Sequence, residues 1–545
     1  MTGVQTCALP ISTTEPTEPV LDSETPLVLP WLRSGYRLDI PGISGDFAIH
    51  HYMLWERLFC YDDSQTADSA SHIVWKLADG YVRSEDGLSV TYTLREGIQW
   101  SDGTPVTAAD VEFTCYGIAM GMFGSEDSAV QKLAGYADFI DGKTANISGI
   151  TTADRSITFT LAEADPNFHW NIWVMPKHCF EGLSWNGSAD APYWKAPVTS
   201  GPYKFVDAQF PNIVNLTRNE YYYGAPAGIK NVSLVATDDV INSAVEGTCD
   251  LVIQRKESAE YSYTITPLTG SVAKQISGQN PDYTVRSMYS DNLRWLIFNM
   301  GNRSDGKNKQ VLIENAHARR AISLLVDEEA ISQSVAGTAC YILGNPNHPQ
   351  VTHKYDQAEP TQDLQQAKKL LEDAGWNFDN ELDILCVFIG DEYTAVMESI
   401  REDAAKIGVI VNIYTNTTPG SATQLISERN YDLVLYGFSG SQVNPFAGLS
   451  ELGSDAFLPC MAQCDWVTDK YDALLKAAAS YDEGSDAFMA AMNAAAEANF
   501  EDCLIIPLYA ESYIVCYNEA RVLIPDEAFD YNDQNFCFED WRMQA

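Results

Sequence analysis

The chain has 545 residues, with 34 Lys and Arg against 75 Asp and Glu, a formal net charge of −41 and a pI near 4.3. Phosphate backbones and anionic lipid surfaces call for clustered Lys and Arg, so this balance argues against nucleic acid and against basic docking on a membrane. With 46% hydrophobic and 11% aromatic residues the composition is globular, and the length suits roughly three or four domain-sized units. No stretch reaches the roughly 18 consecutive apolar residues of a membrane-spanning helix. Met1 to Ile11 has neither the basic residue nor the apolar run of a secretory signal. It resembles the in-frame translation of a common sequencing adapter, so the native start, with any export signal, is expected to be missing. Ser12 to Pro26 (STTEPTEPVLDSETP) is too polar and proline-broken to fold and reads as a flexible linker.

From Leu27 onward strands and helices alternate. Ser89 to Arg95 alternates with period two and predicts a strand, as does Ile157 to Leu161. Thr107-Ala-Ala-Asp110 predicts a helix N-cap with an acid in the first turn. Ser200 to Tyr203 reads as a turn feeding a strand. Helical spacing runs over Glu314 to Asp327 and over Asp363 to Ala374, the latter stopping at Gly375. Leu382 to Ile389 predicts a buried strand, Tyr393 to Lys406 a helix, and Val409 to Ile413 a strand, an order that implies a parallel or mixed sheet with helical cover. An Ala/Met helix follows over Ala487 to Phe500, capped by Ser485 or Asp486, and then the strand Leu504 to Leu508.

Little in the sequence suggests covalent or metal chemistry. Cys460 and Cys464 form the one close cysteine pair, but a zinc site needs two more ligands at suitable spacing and none is near. A disulfide, within this pair or to distant partners, is the favoured use. His50-His51 lies before an expected helix and fits no zinc motif. No nucleotide-binding or hydrolase fingerprint is present. The chain is therefore expected to be no enzyme and to need no cofactor or metal.

The segment Tyr92 to Tyr116, YTLREGIQWSDGTPVTAADVEFTCY, resembles the signature of the family 5 extracellular solute-binding proteins, the dipeptide- and oligopeptide-binding subunits of ABC importers. Other pieces follow in the family's order, among them Thr199 to Phe205, Leu216 to Tyr222, Leu296 to Asn299, Ala316 to Ile322, Ala367 to Gly375 and Tyr431 to Gly437. The resemblance covers residues 28 to 530. It implies an α/β, two-lobed periplasmic-binding-protein type II clamp with an extra subdomain in the first lobe. Residues 27–290 would form the first lobe, with the extra subdomain at about 56–194. Residues 291–501 would form the second lobe, and 502–545 would return to the first. Ligand would bind between the lobes and close them. The implied protein is an extracytoplasmic monomer that hands peptide to an ABC permease and its ATPase. A sugar, nickel chelate or haem as ligand, or a peptide-sensing role, stays open.

In peptide-binding relatives an Asp after the strand resembling Tyr431 to Gly437 anchors the ligand's α-amine. Here the run is Gly437-Phe-Ser-Gly-Ser441-Gln-Val-Asn-Pro445, with Ser441 where the Asp would be. A hydroxyl supplies no charge, and a charge-assisted bond is about twice as strong. Another acid would have to take over, or the ligand lacks a free amine, or it is not a peptide. Phe438, Ser439, Ser441 and Asn444 are the candidate contacts on this loop, because loops after strand carboxyl ends face the cleft in open α/β sheets. Trp295 and Tyr289, near the implied crossover, are the remaining candidates. Trp55 and Trp100 read as packing residues.

Overall fold

The structure is a computed structural model that describes residues 23–32, 36–38, 48–61, 73–123, 128–165, 168–170, 173–183, 191–259, 262–335, 340, 361–416, 422–439, 447–454, 464–481, 485–530 and 535–544. The adapter-like start and most of the linker lie outside them. Two strands, Tyr283–Phe298 and Ile505–Asn518, are far longer than the rest and lie antiparallel. They sit inside a six-stranded sheet whose spatial order is Leu251–Val252, Ile505–Asn518, Tyr283–Phe298, Leu433–Ser439, Glu381–Cys386 and Ile410–Thr415. Along their outer halves, residues 283–289 pair with 512–518, and Leu251–Val252 flanks them. Along their inner halves, residues 293–297 pair with 505–510 on one side and with Leu433–Ser439 on the other.

The buried apolar residues divide at the same place. One core cluster runs from Leu293 to Ala510. A second gathers Leu27 through Leu251 together with Val515 through Met543, and a third, smaller one joins Leu32, Val240 and Leu268 to Ile514 and Cys516. The molecule is thus two lobes, each with its own hydrophobic interior, joined through the two long strands.

The first lobe holds two four-stranded sheets. One has the order Leu27–Trp31, Asn231–Ala236, Ile213–Arg218, Tyr203–Gln209. The other is built from Ala78–Arg83, Ser89–Leu94, Ser156–Thr160 and Ile150–Ala153. Ser89–Leu94 alternates half-buried and buried as its period-two sequence requires. The helix Ala108–Ala119 opens with the expected capping box: Thr107 accepts from the third-position amide, while Asp110 Oδ2 accepts from Thr107 N at 2.8 Å. Trp55 and Trp100 are fully buried core residues. His50 and His51 lie inside the helix Ile49–Leu54, both buried, rather than ahead of it.

In the second lobe Glu381–Cys386 pairs in parallel with both Ile410–Thr415 and Leu433–Ser439, and the helix Asp391–Lys406 crosses between the first two. This is the expected strand–helix–strand unit. The helix Leu364–Ala374 is capped by Asp363 and ends on the left-handed Gly375, and Asp486–Asp502 is capped by Ser485, both as predicted. The predicted helix over Glu314 to Asp327 is instead broken. A turn of helix ends at Glu314, Asn315 caps a new helix Ala316–Ser323, and Asp327 caps another over Glu328–Ser334. Short polar side chains at 315 and 327 accept from backbone amides, which favours starting a helix over continuing one. The strand expected over Leu504 to Leu508 proves to be the first part of the fourteen-residue Ile505–Asn518.

Candidate functional site

Beyond the carboxyl ends of Glu381–Cys386 and Ile410–Thr415 lies a cavity of about 630 Å³, within the roughly 300–1,000 Å³ of small-ligand sites. Both lobes line it. The first lobe contributes Arg255 and the stretch Ile265–Ser271, and the second contributes Ser334–Val335, Val387–Ile389, Glu392, Tyr393 and Asn416. The long strands supply Arg294, Tyr509, Glu511, Ser512 and Ile514. The wall mixes aliphatic side chains with hydroxyls and two acid–base pairs.

The first pair is seated at the junction of the lobes. Tyr289 pairs with Ser512 and Leu293 with Ala510, so Ser290, Asp291 and Asn292 stand opposite Glu511 alone. This irregularity locally disrupts the ladder. Glu511 Oε2 lies 2.7 Å from Arg294 Nη2, and Tyr393 donates its hydroxyl to Glu511 Oε1 at 2.7 Å. Arg294 Nη1 donates to Leu293 O at 3.0 Å, and the guanidinium carbon lies 4.4 Å from the Phe388 ring centre. Gly437 makes room for it: a Cβ there would come within 2.3 Å of Arg294 Nη1 and 2.8 Å of Leu293 O. Burial works against the charge on Arg294, but Glu511, with Tyr393 and Tyr509, outweighs it and holds the guanidinium above its ordinary pKa. Burial likewise pushes the Tyr393 phenol up, keeping it a neutral donor at any ordinary pH.

The second pair bridges the lobes. Arg255 Nη2 lies 3.2 Å from Glu392 Oε1. Arg255 is aimed by Thr269, whose Oγ1 accepts from Nη1 at 3.0 Å, and more weakly by Thr266 at 3.4 Å. Glu392 sits in the first turn of Asp391–Lys406, after Gly390 at φ 147°, where a Cβ would meet its carboxylate at 3.0 Å. Successive residues of one helical turn therefore reach both neighbours: Glu392 the first lobe, Tyr393 the junction.

The sequence-derived candidates are distributed unevenly around this cavity. Tyr289 lies in the long strand, with its backbone opposite the cavity residue Ser512, and Phe438 and Ser439 end the strand beside Leu293 and Asn292. Ser441 and Asn444 lie outside the described residues, as does Cys460. Trp295 is 1% exposed and packs in the second lobe's core. Cys464 is a buried thiol at the start of the helix Asp465–Ala478, and all ten described cysteines are thiols. Sequence reading missed Arg255, Arg294, Glu392 and Glu511. For two of them a signal existed: Arg294 and Glu511 are lone charges within otherwise apolar runs, Leu293 to Phe298 and Ile505 to Ala510 with its continuation. Among the described residues no group of three or more His, Cys, Asp and Glu side chains is arranged to hold a metal ion.

The sequence model of the bacterial extracellular solute-binding proteins, family 5 (middle), matches residues 72–457. The oligopeptide-binding protein OppA of Lactococcus lactis subsp. cremoris is 24% identical over 364 residues, which cover 61% of this chain and 58% of that protein. Among solved structures, a putative peptide binding protein AppA from Clostridium difficile superposes with a TM-score of 0.73 at 17% identity, covering 95% of this chain and all of that one. NikA from Brucella suis, solved in complex with Fe(III)-EDTA, gives 0.70 at 16% identity, with 95% of this chain and all of that one covered. These likenesses establish the two-lobed type II clamp. With well over half of its length matched by the family's own sequence model, the chain belongs to the family 5 bacterial extracellular solute-binding proteins.

Proposed function

We propose that this chain is the extracytoplasmic receptor of an ABC importer, acting as a monomer, and that it captures short peptides between its lobes and delivers them to a membrane permease. The observation that carries this reading is the interlobe cavity itself, whose wall is shared by both lobes and by the strands that join them. A ligand touching both walls binds the closed clamp better than the open one, and so shifts the population toward the closed shape. The wall suits a peptide, with Ile265, Leu268, Val335 and Ile389 for side chains and hydroxyls and Asn416 for main-chain groups. OppA and AppA, similar over much of the chain, are named for peptides. Phe438, Ser439, Ser441 and Asn444, with Tyr289, are proposed as ligand contacts in this reading.

Thermal unfolding of the full chain in panels of di- to pentapeptides, sugars, nickel–histidine and haem tests the proposal. Peptides at a hundredfold excess over Kd should add about 2.7 kcal/mol of stability and raise the midpoint. Stabilisation by sugars, nickel–histidine or haem with none by peptides would overturn it.

A further inference from the structure

We propose that the Tyr509 hydroxyl, in the cavity wall beside Arg294, is a ligand-binding donor that takes a main-chain carbonyl oxygen of the bound peptide. The inference rests on the peptide reading above and deepens it.

Tyr509 stands on the long strand Ile505–Asn518, directly across from Arg294 on Tyr283–Phe298, and both residues line the cavity. Directly opposed strand residues project to the same face of a sheet. Tyr509 is 1% exposed, and its hydroxyl has no hydrogen-bond partner among the described residues. Arg294 Nε is likewise buried without a partner among them. The Tyr393 hydroxyl in the same wall, by contrast, donates to Glu511 at 2.7 Å. Most buried side-chain hydroxyls are hydrogen-bonded, and one that is not carries a desolvation penalty that an incoming acceptor removes.

The surroundings of Tyr509 choose that acceptor. Burial, with Glu511 and Tyr393 nearby, holds the phenol well above its ordinary pKa, so it stays protonated and able to donate. Arg294 disfavours an ammonium at this place, and Glu511 disfavours a second carboxylate. A neutral carbonyl oxygen meets neither repulsion. Peptides supply such oxygens along the main chain whatever their side chains, so a bond here adds affinity without selecting sequence. Because both lobes build the wall, a ligand that enters while they stand apart meets Tyr509 before the wall is complete.

The test is calorimetric titration of the full chain and of Tyr509→Phe with Ala-Leu-Ala and with its two single-thioamide analogues, whose sulfur is a much weaker acceptor than oxygen. Tyr509→Phe keeps the ring and removes the hydroxyl. Without ligand its thermal midpoint should match or exceed that of the unaltered chain, because no bond within the protein is lost. Its affinity for Ala-Leu-Ala should fall roughly three- to tenfold. One of the thioamide peptides should bind the unaltered chain more weakly by a similar factor. That penalty should vanish in Tyr509→Phe, which marks direct contact between the two groups. An unchanged affinity in the variant, a thioamide penalty that is absent or survives there, or a lowered midpoint of the free variant would overturn the role of the hydroxyl while leaving peptide capture standing. Failure of Ala-Leu-Ala to bind the unaltered chain would overturn the peptide reading and this inference with it.

Discussion

Arg294 and Glu511 show what a single pair of side chains can decide. Each lies in a strand whose neighbours are apolar, and each has the other as its countercharge, with Tyr393 satisfying the second carboxylate oxygen. Breaking one partner of a buried pair is much costlier than replacing both, because the survivor keeps its desolvation penalty without compensation. Glu511→Gln should therefore destabilise the protein by about 3–5 kcal/mol in denaturant unfolding, and joining it with Arg294→Met should recover much of the loss. A single-variant loss below about 1 kcal/mol, the value typical of exposed pairs, would show that water reaches the pair freely. The sequence marks Arg294 and Glu511 as odd within their strands but cannot say that they face each other. That depends on which strands become neighbours 217 residues apart. Trp295, by contrast, was a candidate ligand contact and is placed in the second lobe's core, because strand residues alternate faces and its neighbour Arg294 takes the cavity side.

At the scale of elements, the helix caps are legible in the sequence and the full length of the long strands is not. The capping box at Thr107, the Asp363 cap with Gly375 at the far end, and the Ser485 cap each rest on contacts within a few residues, so composition reveals them. Ile505–Asn518 looked like a short strand because Glu511 and Ser512 interrupt its apolar run. Pairing with Tyr283–Phe298 carries it through that interruption. Leu433–Ser439 shows the same dependence on a partner. Gly437 is needed not for a turn but for clearance, since Arg294 and the Leu293 carbonyl fill the place of its Cβ. Gly437→Ala should cost about 1–3 kcal/mol by overpacking and should displace the Arg294 guanidinium. Unchanged stability in thermal or denaturant unfolding would mean that the strands part without cost.

At the scale of the whole molecule, the two cores are joined through one irregular stretch of sheet, about which the closure of the proposed function would turn. Saturating the protein with Ala-Leu-Ala should lower the radius of gyration in solution scattering, toward the roughly 24 Å of a compact chain of this length. An unchanged radius at saturation would sink ligand-driven closure. The formal charge of −41 belongs to the whole chain, whereas the described residues lining the cavity carry two positive and two negative charges.

The sequence by itself determined most of the local elements, through hydrophobic period and capping chemistry acting over short distances, and its ordered motifs carry the family resemblance that implies the clamp. Only the tertiary structure decided where the interlobe cavity lies and which charged side chains meet at its wall. Arg255, Arg294, Glu392 and Glu511 are scattered across more than 250 residues of chain. They become two pairs only when parallel strands end at one edge, a first-lobe hairpin faces that edge, and the long strands slip register beside Glu511. An ion pair requires its partners within about 4 Å, and no spacing in the sequence encodes that approach.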